Sequence, residues 1–291
     1  MKISLLRNLA VVGTFALTMS SAYALDAEKL TEAAKAEETT LKARIGISVI
    51  NTQTDQSWNY RGDERFPLNS TFKALACGAM LAKADAKELA PSKIISFNKT
   101  HLVTYSPVTE KFVSKGMSLG ELCVAATEYS DNTAINLVLE QIGGPEGLTA
   151  YLRSIGDTET RLDRLEPDLN EATPGDLRDT TTPNAVVKTL KKLTLGDGLS
   201  EASRDLLRQW MVDDKVADAL LRSTLPKGWK IADKTGAGEH GSRSIIAVIW
   251  PPEKKPLVVG IYITQTEASM QDSNQAIARL GAVLANSLNT P

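Results

Sequence analysis

Strand-forming sequence lies near both ends of this 291-residue chain, and helix-forming sequence fills the middle. Between Arg44 and Ile50 the apolar Ile45, Ile47 and Val49 alternate with Gly46 and Ser48, and Ser57 to Tyr60 reads as a partner strand beyond a polar turn. β-Branched runs return at Ile231–Thr235, Ser244–Trp250 and Leu257–Thr264. From Asn69 to about Leu221 the apolar spacing is mostly helical, broken at Gly143-Gly144-Pro145, Pro167 to Asn170 and Thr173-Pro174-Gly175-Asp176. Asp26 is placed to cap a first helix to about Thr40, and Asp272 to open a last one to about Leu288. Two distant groups of strands around one helical block must pair into a single sheet. The pattern therefore predicts an α+β fold: an antiparallel sheet built from both chain ends with flanking helices, plus an inserted all-helical domain. The expected division is 25–65 with 213–291 for the first unit and 66–212 for the second, with a functional site at the seam.

Before Leu25 the order is basic, apolar, small: Lys2 and Arg7, then Leu9 to Met19, then Ala22-Tyr23-Ala24. Residues 1–24 read as a cleaved secretory signal, because the apolar run is well short of the roughly 20 residues a spanning helix needs. The expected location is periplasmic or secreted, with no membrane anchor after cleavage. The formal charge is −2, and the leader holds two of the 33 basic residues and none of the 35 acidic ones. A chain made more acidic by that cleavage is not expected to bind nucleic acid. Two cysteines, Cys77 and Cys123, are either a disulfide formed after export or a pair of buried thiols. His101 and His240 are the only histidines and are not grouped with cysteines or carboxylates, so neither a metal nor another cofactor is expected.

Ser70-Thr71-Phe72-Lys73 places a hydroxyl and an amine three residues apart, on one face of a helix start. Serine needs such a neighbour to become a nucleophile, and a helix N-terminus favours the oxyanion that attack creates. Alone the pattern means little: Ser96-Phe97-Asn98-Lys99 repeats it, and surface decoration explains a single copy equally well. Ser130-Asp131-Asn132 and Lys234-Thr235-Gly236 change the weighing, since either could be a turn, cap or strand edge by itself but the three follow in order. A fourth element, Glu166-Pro167-Asp168-Leu169-Asn170, lies in the polar segment 161–179.

Together these motifs make the chain similar to the class A serine β-lactamase family over nearly all of the sequence after the leader. Residues 161–183 and 260–270 resemble the carbenicillin-hydrolysing branch, although Lys234 stands where that branch usually carries arginine. The resemblance implies a hydrolase of cyclic amides that takes small-molecule β-lactams, penicillins and some cephalosporins, and confers antibiotic resistance; a monomer is expected. It implies Ser70 as the acylated nucleophile, with Lys73, or Glu166 through a water molecule, receiving its proton. Ser130 would protonate the leaving nitrogen, while Glu166 with Asn170 would activate the deacylating water. The backbone N–H groups of Ser70 and Ala237 would form the oxyanion hole. Lys234, Thr235, Gly236 and Arg243 would bind the substrate carboxylate, Asn132 its side-chain amide, and Tyr105 would wall the cleft. Arg161, Arg164 and Asp179 would close an Ω-shaped loop over 161–179. A penicillin-binding transpeptidase or carboxypeptidase, or a β-lactam sensor, shares the first three motifs; Glu166 and Asn170 argue against both.

Overall fold

The computed structural model describes residues 25–288, so the expected leader lies outside the described residues. In chain order come α1 (Ala27–Leu41), β1 (Arg44–Asn51), β2 (Gln56–Tyr60), β3 (Phe66–Pro67), α2 (Phe72–Asp85), β4 (Ile94–Ile95) and β5 (Met117–Ser118). These are followed by α3 (Leu119–Glu128), α4 (Asn132–Ile142), α5 (Gly144–Ser154), β6 (Thr180–Thr181), α6 (Pro183–Thr194) and α7 (Glu201–Val212). The chain closes with β7 (Lys230–Ala237), β8 (Arg243–Trp250), β9 (Leu257–Thr264) and α8 (Met270–Ser287).

The two ends meet as the sequence pattern requires. The five-stranded sheet runs β2-β1-β9-β8-β7, all pairs antiparallel, and β1 joins β9 in an unbroken register from Arg44 opposite Thr264 to Asn51 opposite Leu257. Side chains alternate across the sheet. Ile45, Ile47, Val49, Ile245, Ala247, Ile249, Val259 and Ile261 enter a core with Leu30 and Ala34 of α1 and Ile277, Leu280 and Leu284 of α8. Ile246, Val248, Val258 and Tyr262 face the opposite core, with α2, α4 and α6. A sheet covered on both faces explains why β8 and β9 read as nearly continuous apolar runs. Gly46 is needed for contact: a Cβ there would lie 2.3 Å from the Phe66 ring.

The helical layer is centred on α2, buried from Phe72 to Leu81, and Cys77 of α2 is disulfide-bonded to Cys123 of α3 with Cα atoms 5.7 Å apart. It is not wholly helical: β3 pairs with β6 and β4 with β5, two-residue ladders too short to leave a periodic signal. Asp26 caps α1 through the Lys29 N–H. The last helix starts earlier than its acidic residue suggested, because Ser269 is the cap and Asp272 closes the cap from inside the first turn.

Candidate active site

Ser70 lies in a single 3-10 turn, Asn69–Thr71, that feeds α2. Asn69 takes a left-handed φ of 45°, and the Thr71 hydroxyl donates to the Leu68 carbonyl at 2.6 Å while contacting the Tyr262 hydroxyl at 3.1 Å. One helical turn later Lys73 is fully buried beside it. From across the seam β7 presses on this turn: a Cβ on Gly236 would sit 2.8 Å from the Ser70 nitrogen. The glycine of Lys234-Thr235-Gly236 is therefore what lets the strand lie against Ser70.

Ser130-Asp131-Asn132 begins α4. Asp131 caps it by accepting the Ala134 N–H at 2.8 Å, and its carboxylate also takes the N–H groups of Val108 and Thr109. That fixes the loop bearing Tyr105, whose carbonyl accepts the Asn132 N–H at 2.9 Å while its side chain is largely exposed. The Asn132 amide donates to the Thr104 carbonyl at 2.8 Å and accepts from Lys73 Nζ at 2.6 Å.

Glu166 brings the fourth motif into contact with the first two. Its Oε1 accepts the Ser70 hydroxyl at 3.2 Å and lies 3.2 Å from Lys73 Nζ, and its Oε2 accepts from Asn170 Nδ2 at 2.5 Å. The Lys73 ammonium also donates to the Ser130 carbonyl at 2.7 Å and the Ser130 hydroxyl at 3.3 Å. Burial lowers the pKa of this lysine from its ordinary value, opposed by the neighbouring Glu166 and Asp131. Asn170 Oδ1 is buried without a protein partner next to the carboxylate.

At the other end Lys234 and Arg243 are both buried. Lys234 Nζ donates to the Thr235 carbonyl at 3.1 Å; Arg243 donates to the Gly236 carbonyl at 2.8 Å and to Asn274 Oδ1 at 2.7 Å. Ala237 ends β7 opposite Arg243. Past it, the Glu239 N–H donates to the Asn170 carbonyl at 2.9 Å, docking the strand on the 161–179 segment, and a Cβ on Gly238 would meet that same carbonyl at 2.6 Å.

All twelve catalytic and substrate-binding candidates lie on the elements that converge here: Ser70, Lys73, Tyr105, Ser130, Asn132, Glu166, Asn170, Lys234, Thr235, Gly236, Ala237 and Arg243. The neck of the 161–179 segment needs one correction. Arg164 pairs with Asp179 at 2.6 Å and with Glu171, but Arg161 pairs with its near neighbour Asp163, which in turn accepts the Asp179 N–H at 2.9 Å. The duplicate Ser96–Lys99 motif is elsewhere, its Asn98 capping an exposed 3-10 turn. Three residues that sequence reasoning missed support the site from behind. Asn136 holds the Glu166 backbone at both N–H and C=O, Asp214 stands 3.9 Å from Lys234 Nζ, and Arg222 binds Asp233 on β7. None belongs to a short motif, and each meets a partner at least eleven residues away. Among the described residues no group of three histidines, cysteines or carboxylates could hold a metal ion.

The sequence profile of the Beta-lactamase enzyme family matches residues 27–288. The chain is 63% identical to Beta-lactamase AER-1 of Aeromonas hydrophila over 263 residues, covering 90% of this chain and 86% of that protein. Beta-lactamase CARB-3 of Pseudomonas aeruginosa is 52% identical over 247 residues, covering 85% and 86%. Among solved structures, an ancestral (GNCA) class A β-lactamase superposes with a TM-score of 0.88 at 50% identity, covering 89% of this chain and 99% of that one. The chromosome-encoded β-lactamase of Vibrio parahaemolyticus gives 0.88 at 50% identity, covering 90% and 100%.

Proposed function

The chain belongs to the class A serine β-lactamases, and from that premise we propose that Ser70 is the residue acylated when the β-lactam amide is opened, with Glu166 as the base for both halves of the reaction. The activity of the family is hydrolysis of the β-lactam ring, which confers antibiotic resistance. One observation carries the assignment of roles: a single carboxylate oxygen, Glu166 Oε1, accepts the nucleophile's hydroxyl and faces a buried ammonium, while the other oxygen is held by Asn170.

In the first half Ser70 Oγ bonds to the lactam carbonyl carbon and its proton passes to Glu166. The Lys73 ammonium contacts both that carboxyl group and the Ser130 hydroxyl, so that as the C–N bond breaks Ser130 gives its proton to the ring nitrogen, Lys73 restores the Ser130 proton and takes up the one on Glu166, and Glu166 is again a carboxylate for the second half. The close approach of β7 to the nucleophile supports an oxyanion site made by the Ser70 and Ala237 N–H groups. In the second half a water molecule attacks the ester carbonyl carbon, the bond to Ser70 Oγ breaks, and Glu166 returns the water's proton to Ser70 Oγ. The unpartnered Asn170 Oδ1 and the adjacent Glu166 carboxylate form an acceptor pair suited to hold that water and take its proton. Lys234, Thr235 and Arg243 are read as the end that receives the substrate carboxylate, Asn132 as the partner of its side-chain amide, and Tyr105 as a wall.

The same reading takes the chain as an exported monomer, export resting on its leader; among the described residues no helix is long and apolar enough to cross a membrane. It retains 25–65 with 213–291, and 66–212, as the two units that meet at the site.

The test follows benzylpenicillin by ultraviolet absorbance and the protein by intact mass over time. Catalytic loss of the drug without a lasting adduct is expected from the natural sequence. Glu166→Ala should accumulate one adduct per chain with kcat reduced by about 10²–10⁴-fold, and Ser70→Ala should form none. A persistent adduct on the natural enzyme with no turnover would move the reading to a transpeptidase or sensor; normal turnover by Glu166→Ala would remove that residue from deacylation.

A further inference from the structure

Beneath the carboxylate-binding end of the cleft lies a buried group of charges that the reaction itself does not use. Asp233 on β7 is committed to Arg222, which grips it through Nε and Nη2 with contacts of 2.6 to 3.2 Å. Asp214, in the turn that follows α7, is only 3% exposed. Its Oδ1 accepts the Val216 N–H at 2.7 Å, but its Oδ2 is buried with no hydrogen-bond partner and stands 3.9 Å from Lys234 Nζ. Buried polar atoms nearly always find partners, and among the described protein groups the Lys234 ammonium is the charged one within 4 Å of this oxygen.

We propose that Asp214 is a positioning residue for substrate binding: a built-in counterion that keeps the buried Lys234 ammonium charged in the free enzyme and gives way to the substrate carboxylate. The inference rests on the reading that Lys234 receives that carboxylate. Three features support it. At 3.9 Å the pair attracts without a hydrogen bond, so the ammonium can turn to a new anion without breaking one. Among the described residues Lys234 Nζ has the neighbouring Thr235 carbonyl at 3.1 Å as its hydrogen-bond acceptor, which uses one of its three donors. The other groups facing it are Lys73 from α2, Arg243 from β8 and Asp233 on its own strand. Two are cations and the third is held by Arg222, which leaves Asp214 as the anion available to the ammonium.

The sign of the effect follows. Burial, with Lys73 and Arg243, pushes the Lys234 ammonium down to about 8, and Asp214 and Asp233 oppose that push. Binding that needs the ammonium is complete below that pH and is lost as pH rises through it. Neutralising Asp214 moves the loss to lower pH.

The experiment measures kcat/KM from pH 6 to 10 for benzylpenicillin and for its methyl ester, which lacks the carboxylate. The natural enzyme should show an alkaline limb near pH 8 with the acid that is missing with the ester. In Asp214→Asn the limb for the acid should move down by about one pH unit, cutting kcat/KM about five-fold at pH 8 and less than about two-fold at pH 6. The change should fall on KM more than kcat. Asp214→Ser repeats the test if the asparagine variant does not fold. A folded variant with an unmoved limb overturns the proposal, as does an equal displacement with the ester, or a natural enzyme whose limb is the same for both substrates. Failure of the underlying reading looks different: the natural enzyme would then bind acid and ester alike at pH 6, whatever Asp214 does.

Discussion

Asn136 acts on Glu166 through the backbone rather than the carboxylate. Its Oδ1 accepts the Glu166 N–H at 3.0 Å and its Nδ2 donates to the Glu166 carbonyl at 2.9 Å, so one side chain satisfies both main-chain groups of the proposed general base. Asn136→Ala would leave both unpaired, at about 1–3 kcal/mol each if they stay buried. The expected result is a deacylation rate reduced by about ten-fold or more, read from the decay of the acyl-enzyme in rapid-quench mass spectra. An unchanged deacylation rate would show that Asn136 does not position Glu166. Such a residue cannot be read from sequence. Ser70 and Lys73 are legible because three residues along a helix fix their meeting, and Ser130-Asp131-Asn132 because its middle residue is a cap. Asn136 and Asp214 matter only through partners thirty and twenty residues away, which no local spacing encodes.

The 161–179 segment has one 3-10 turn, Asp168–Glu171, as its regular structure, so its shape depends on its neck. Asp179, almost wholly buried, accepts the N–H groups of Asp163 and Arg164 and pairs with the Arg164 guanidinium, whereas Asp163 returns the exchange by accepting the Asp179 N–H. Asp179→Ala would strand these donors; a broken buried pair of this kind costs about 3 kcal/mol. Faster limited proteolysis between residues 165 and 177 should accompany slower deacylation, and a loop that stays resistant would contradict the role given to the neck. The sequence shows the charges but not their pairing: Arg161 takes Asp163, two residues away, over the more distant Asp179. Element ends were legible where a single cap decides, as at Asp26, and were misread where two polar residues compete, as at Ser269 and Asp272.

At the scale of the molecule the sheet serves two cores at once. Adjacent residues of β8, such as Ile245 and Ile246, point into opposite layers, so neither layer can open without exposing strands that the other needs. Unfolding in urea should therefore give coincident transitions by far-ultraviolet circular dichroism and by tryptophan fluorescence. Trp58 and Trp229 report on one core and Trp210 and Trp250 on the other. Separate transitions would mean that the helical layer stands alone. This architecture was the most legible part of the sequence, because the two periodicities occupy separate stretches of chain; the two-residue ladders at Phe66 and Ile94 are too short to carry a period. The register of β1 against β9 also orders events in time. Ile47 waits for Ile261, more than two hundred residues later in synthesis, before it has a neighbour on that side. The central pairing of the sheet cannot form on the ribosome until the chain is nearly complete. A nascent polypeptide of this design lacks its finished sheet for most of the time it is being made, and a chain without its final fold is what a translocation channel threads.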